Sequence, residues 1–93
     1  MITAFVLIQT DAARIPECAQ EISEIEGISE VYSVTGEWDL IAMARVSRHE
    51  DLADVIADRL SKVAGVESTT THIAFRSYSK HDLDAAFSLG FDS

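Results

Sequence analysis

Basic residues are scarce in this chain: seven Lys and Arg stand against sixteen Asp and Glu, for a net charge of −9. Affinity for nucleic acid comes mostly from neutralising phosphates. A chain with this balance and no basic run therefore lacks the footprint of a direct duplex binder. Cysteine occurs once, at Cys18, which excludes an intrachain disulfide and a cysteine metal cluster. Proline also occurs once, so a Pro-rich linker is absent. Long apolar runs are missing too. The stretch from Met1 to Ile8 is far too short to span a bilayer, and it has neither a basic flank before it nor a cleavage pattern after it. These absences predict a cytoplasmic protein with no membrane partner.

What remains is globular, with 47% hydrophobic residues in 93. That is one domain, and a chain of this size buries only roughly 60–65% of its extended surface. Ile2 to Thr10 is rich in Ile, Val, Leu and Phe and reads as a strand. Pro16 suits the first turn of a helix, where its missing N–H costs nothing. Ile15, Cys18, Ala19, Ile22 and Ile25 fall on one helical stripe, and Gly27 stops it. Ile28 to Thr35 is a second strand. Gly36-Glu37 is a pair suited to a two-residue type II′ hairpin, and Trp38 to Val46 is the third strand. Ser47-Arg48-His49-Glu50 has the form of a capping box. Leu52, Val55, Ile56, Leu60 and Val63 make the next stripe, Gly65 ends it, and Val66 to Arg76 is a fourth strand.

The order βαββαβ is the ferredoxin-like split βαβ arrangement, an α+β sandwich. It predicts a four-stranded antiparallel sheet with two helices on one face. Residues 1–78 form this domain. Residues 79–93 form a tail with a short amphipathic helix, capped by Ser79 and lined by Leu83, Ala86 and Phe87, with Phe91 just beyond.

Alternation puts Ile2, Ala4, Val6 and Ile8 on one face with Leu40, Ala42 and Ala44. Phe5, Leu7, Tyr32, Val34, Ile41 and Met43 fall on the other. Two helices cover only one of these faces. Each large side chain left wet forgoes about 1.5–3 kcal/mol of burial. A second copy packed on the sheet is the simplest cover, so the sequence predicts a homo-oligomer.

No catalytic or metal-binding signature is present, and no cofactor is implied. His49, His72 and His81 lack metal-ligand spacing. Cys18 lies in an apolar stripe and reads as a small buried hydrophobe. Two clusters carry chemistry. In Val34-Thr35-Gly36-Glu37-Trp38-Asp39, the hairpin tip exposes backbone N–H groups and Gly36 admits close approach. Asp39 can accept from an ammonium group, and Trp38 can wall an apolar pocket. The alternative is a plain turn, with Trp38 packed on the sheet and Asp39 capping the loop. In Ser68-Thr69-Thr70-Thr71, β-propensity alone accounts for the threonines, but the hydroxyls of Thr69 and Thr71 share a face and can hydrogen-bond a carboxylate or an amine without imposing net charge.

The segment Val31-Tyr32-Ser33-Val34-Thr35-Gly36-Glu37-Trp38-Asp39 resembles the V-x-x-V-T-G-x-[YW]-D motif of the effector-binding (RAM) domain of the Lrp/AsnC, or feast/famine, family of transcriptional regulators. Gly65-Val66-Glu67-Ser68-Thr69-Thr70-Thr71 is similar to that family's final G-V-x-x-T-x-T strand. The resemblance runs from Ile2 to Arg76. It implies dimers formed through the sheets, rings of dimers, and an amino-acid effector held by Gly36, Trp38, Asp39, Thr69 and Thr71. Trp38 stands where tyrosine is usual, so no tyrosine hydroxyl can act there. Full-length members place a helix-turn-helix ahead of this domain. The resemblance is thus to stand-alone members, which regulate transcription without DNA contacts of their own or as accessory subunits of a full-length relative. Two other readings rest on fold alone: a small dimeric monooxygenase or isomerase using His72, and an effector-independent scaffold.

Overall fold

The computed structural model describes residues 1–78; the amphipathic helix expected over residues 79–93 lies outside them. The elements follow the expected order. Strand β1 (Ile2–Thr10) leads through a 3₁₀ turn (Ala12–Arg14) into helix α1 (Ile15–Ser23), and β2 (Ile28–Ser33) and β3 (Leu40–Val46) form the hairpin. Helix α2 (His49–Ala53) passes into a π-helical segment (Asp54–Arg59) and a 3₁₀ turn (Leu60–Lys62) before β4 (Val66–Ile73). The four strands pair antiparallel in the order β2-β3-β1-β4. This is the ferredoxin-like α+β arrangement.

Both helices pack on one face. Ile15 and Ala19 from α1, with Ile56 and Val63 from the second helical region, close over Val6, Ile8, Leu40 and Ala42, which are fully buried. Cys18 and Ile22 complete this core from α1, and Leu60 from the 3₁₀ turn. No element of the described residues covers the opposite face. Row by row, Tyr32, Ile41, Leu7 and Thr70 lie side by side across all four strands, and Met43, Phe5 and His72 form the next row. Phe5 and Tyr32 are exposed.

Two local expectations are corrected, and the structure adds a third feature. The register is the one a Gly36-Glu37 centre requires, since Ser33 pairs with Leu40, but the tip is wider than a two-residue turn. The last bond runs from the Val34 N–H to the Asp39 carbonyl, 3.1 Å, and leaves residues 35–38 as the loop. The backbone N–H of Asp39 is committed to the Ile8 carbonyl of β1, 2.9 Å, so the ladder opens there rather than closing tightly. The capping box also does not form. The cap position of α2 is Arg48, one residue later than the box needs, and it makes no side-chain cap bond. Arg48 instead pairs with Glu50 and Asp51. Finally, β2 is not a regular strand. A bulge between Ile28 and Glu30 sits at Ser29, whose hydroxyl donates to the Met43 carbonyl at 3.1 Å. That extra residue lets Ile28 and Val31, three apart, both reach the core.

Candidate functional site

The hairpin end of the sheet gathers four of the five sequence-predicted residues. Gly36 has φ +104°, a conformation that L side chains rarely adopt, and a Cβ built on it meets no described residue within 4 Å. Its requirement for glycine is conformational, and the space beside it is open. Trp38 and Asp39 are half-buried behind it. Asp39 is tied to β1 twice. Besides its backbone bond to Ile8, its Oδ2 accepts from the Thr10 N–H at 2.9 Å. The carboxylate therefore satisfies a donor at the end of β1, where Thr10 is buried. Oδ1 takes no hydrogen bond from a described residue and remains available.

Thr69 sits at the same end. Leu40 pairs with Ile8 and Ile8 with Thr69, so the start of β3 and Thr69 are two strand spacings apart, roughly 10 Å. Thr71 pairs with Val6, two residues and so about 7 Å further along β4, away from the hairpin end. By register both threonines point to the helix side of the sheet, Thr69 half-buried and Thr71 exposed. Neither hydroxyl bonds to a described residue. The structure thus brings Gly36, Trp38, Asp39 and Thr69 to one end of the sheet and leaves Thr71 along its edge.

Sequence reasoning missed Gln9. Its Nε2 donates to the Glu37 carbonyl at 3.2 Å, and its Oε1 accepts from the Ser68 hydroxyl at 2.7 Å. One side chain therefore ties the hairpin loop to β4 across β1. The only signal in the sequence was a polar residue near the end of an otherwise apolar strand. Among the described residues the arrangement offers an open backbone turn, one carboxylate oxygen without a hydrogen bond and two hydroxyls without a partner. Such a set suits hydrogen bonding to a small polar molecule and contains no nucleophile–base pair.

The remaining titratable groups do not join it. Cys18 is buried, donates to the Ala64 carbonyl at 3.3 Å, and burial pushes its thiol pKa up, against a smaller lowering by Arg14. His72 is exposed on the uncovered face opposite Phe5. Among the described residues no group of His, Cys, Asp and Glu has metal-binding geometry, and no helix is long and apolar enough to cross a membrane.

The chain resembles known proteins over most of its length. A family model described as the Lrp/AsnC ligand binding domain matches residues 3–83. An uncharacterised HTH-type transcriptional regulator of Pyrococcus horikoshii is 38% identical over 76 residues, covering 78% of this chain and 51% of its own. The chain thus spans about half the length of the curated relatives it matches. A crystal structure of a Thermus thermophilus protein superposes with a TM-score of 0.82 at 44% identity, covering 86% of this chain and 100% of that one. A Neisseria meningitidis transcriptional regulator, solved as a complex with L-Met, shares the fold with a TM-score of 0.75 at 18% identity, over 84% of this chain and 52% of its own.

Proposed function

This chain belongs to the Lrp/AsnC ligand-binding-domain family, and from that premise we propose that it is an effector-binding and oligomerisation module of transcription regulation whose effector is a free amino acid. The observation that carries this reading is the convergence of the motif residues. Gly36, Trp38 and Asp39 share one end of the sheet with Thr69, and the Thr69 hydroxyl and Asp39 Oδ1 have no partner among the described residues. In this reading Asp39 accepts from the effector's ammonium group, the Thr69 and Thr71 hydroxyls meet its carboxylate, Gly36 admits it to the backbone, and Trp38 walls its side chain. That a similar regulator was solved with L-Met supports an amino acid as the class.

The uncovered sheet face is the dimer surface, and dimers assemble further into rings. Both helices of the described residues are committed to the sheet, and the net charge is −9. DNA contact accordingly comes from elsewhere, most simply from a full-length family member that co-assembles with this domain. The module performs no catalysis and acts in the cytoplasm.

A thermal-shift panel of the twenty amino acids tests the reading. A ligand at 100-fold excess over its Kd adds about 2.7 kcal/mol, which raises the melting temperature of so small a domain by on the order of 10 °C. A panel with no shift at millimolar concentrations removes the amino-acid effector and leaves the scaffold reading in its place.

A further inference from the structure

The hairpin loop is held from β1 by one side chain. Among the described residues, Thr35, Gly36 and Trp38 make no hydrogen bond, and the Glu37 carbonyl accepts one, from Gln9 Nε2 at 3.2 Å. Gln9 is anchored at its other end, where Oε1 accepts from the Ser68 hydroxyl at 2.7 Å. Ser68 is its register partner on β4, at the last regular pair before the ladder shifts between Gln9 and Thr10. The amide is planar and its two ends differ. Turned over, it would set Oε1 against the Glu37 carbonyl, acceptor against acceptor, so the loop contact fixes which way it faces.

The trans peptide between Glu37 and Trp38 carries this constraint into the site. Its C=O and N–H point in opposite directions, so drawing the carbonyl to Gln9 turns the Trp38 N–H away from Gln9. Loss of the bond frees that peptide to rotate, and Trp38 with it. By the alternation of β1, Gln9 also lies on the sheet face that carries Phe5 and Leu7. Both of its bonds are exposed, so water competes for them and each is worth little. Covering that face expels water and strengthens them.

We propose that Gln9 is a positioning residue for the hairpin site, a strap that orders loop 35–38 and tightens when a second copy covers the sheet. The role rests on the hairpin end being the effector site and on the sheet face being the dimer surface. It adds a link between the two: assembly favours the ordered loop, and whatever orders the loop favours assembly.

Trp38 is the only tryptophan in the chain, so its fluorescence reads the loop with no ligand present. Gln9→Ala removes both bonds, and Gln9→Glu keeps an acceptor for Ser68 but cannot donate to Glu37. In both, iodide should quench Trp38 faster than in the parent, with circular dichroism unchanged. No bond joins Ser68 to the loop, yet Ser68→Ala should also raise quenching, and should add nothing on top of Gln9→Ala. Parental quenching in folded Gln9→Ala and Gln9→Glu overturns the proposal, and so does an additive effect in the double variant. In a Leu7→Glu monomer, Trp38 should be quenched as readily as in Gln9→Ala; parental quenching there overturns the tightening on assembly. For the site itself, the probe is an equimolar mixture of the twenty amino acids. The concentration giving a set thermal shift should rise roughly 2- to 13-fold in Gln9→Ala, the worth of one neutral hydrogen bond. A parental concentration overturns the positioning role. A parent that ignores the mixture, with quenching changed as stated, sinks the effector reading and keeps the strap.

Discussion

Asp39 performs a structural task that any ligand must share. Its Oδ2 holds the Thr10 N–H, so Asp39→Ala strands a part-buried donor and should cost about 1–3 kcal/mol of stability whether or not an effector binds. Alanine alone therefore cannot separate site from support. Asp39→Asn can, because its amide oxygen still accepts from Thr10 while the charge facing an ammonium group is gone. The expected outcome is near-parental melting, with affinity for the stabilising amino acid reduced by about 1.5–3 kcal/mol, roughly 10- to 150-fold. Calorimetric titration of the Asn variant reads this directly, and parental affinity there takes Asp39 out of the site. Cys18 makes a contrasting residue-scale prediction. Burial holds its thiol pKa above the ordinary value of 9.0. The folded state thus keeps a proton that the unfolded chain gives up. Stability from this group is complete below 9.0 and declines as pH rises through the folded value. At about pH 8 the native thiol should resist Ellman's reagent and react fully once denaturant unfolds the chain. Rapid labelling of the native protein would show that the first helix opens freely.

At the scale of elements, the apolar stripes were legible because burial enforces them. Ile22, Leu40 and Leu60 are fully buried, as their periodicity requires. What the sequence did not show was where backbone bonds are diverted. The hairpin register followed from its glycine, but the width of the tip depends on Ile8, Thr10 and Gln9, which lie far away in the chain. The bulge at Ser29 is invisible to a strict alternation of two, yet only with it do Ile28 and Val31 face the same way. The π-helical segment is likewise silent in a stripe read at 3.6 residues per turn. Of the candidate site, residue types and motif were legible; Gln9 was not, because a single polar residue in an apolar strand carries no pairing information. The capping box was legible and wrong. Ser47→Ala tests that correction. A working cap would cost about 0.5–2 kcal/mol on removal, but Ser47 lies one residue before the observed cap position. Chemical denaturation should find the variant within about 0.5 kcal/mol of the parent, as for an ordinary surface change.

For the molecule as a whole, the decisive feature is the imbalance between its two sheet faces. The helices seal one over Val6, Ile8 and Leu40 and leave Phe5, Leu7, Tyr32, Ile41 and Met43 on the other. A domain this small has little core to spare, so leaving that face wet is costly, and a second copy of the same face supplies apolar area of matching extent. Light scattering should therefore give at least a dimer mass at micromolar concentration. Leu7 sits in the middle of the row, between Ile41 and Thr70. In an isolated domain Leu7→Glu places its carboxylate in half-exposed surroundings, where it stays hydrated and the fold survives. Between two packed sheets the same carboxylate would be desolvated without a partner, at a cost of several kcal/mol per copy. The expected result is a folded monomer, with parental secondary structure by circular dichroism and half or less of the parental mass. A folded Leu7→Glu variant of unchanged mass would mean that the copies meet elsewhere, at the exposed edges of β2 or β4, and that the apolar face has a different occupant.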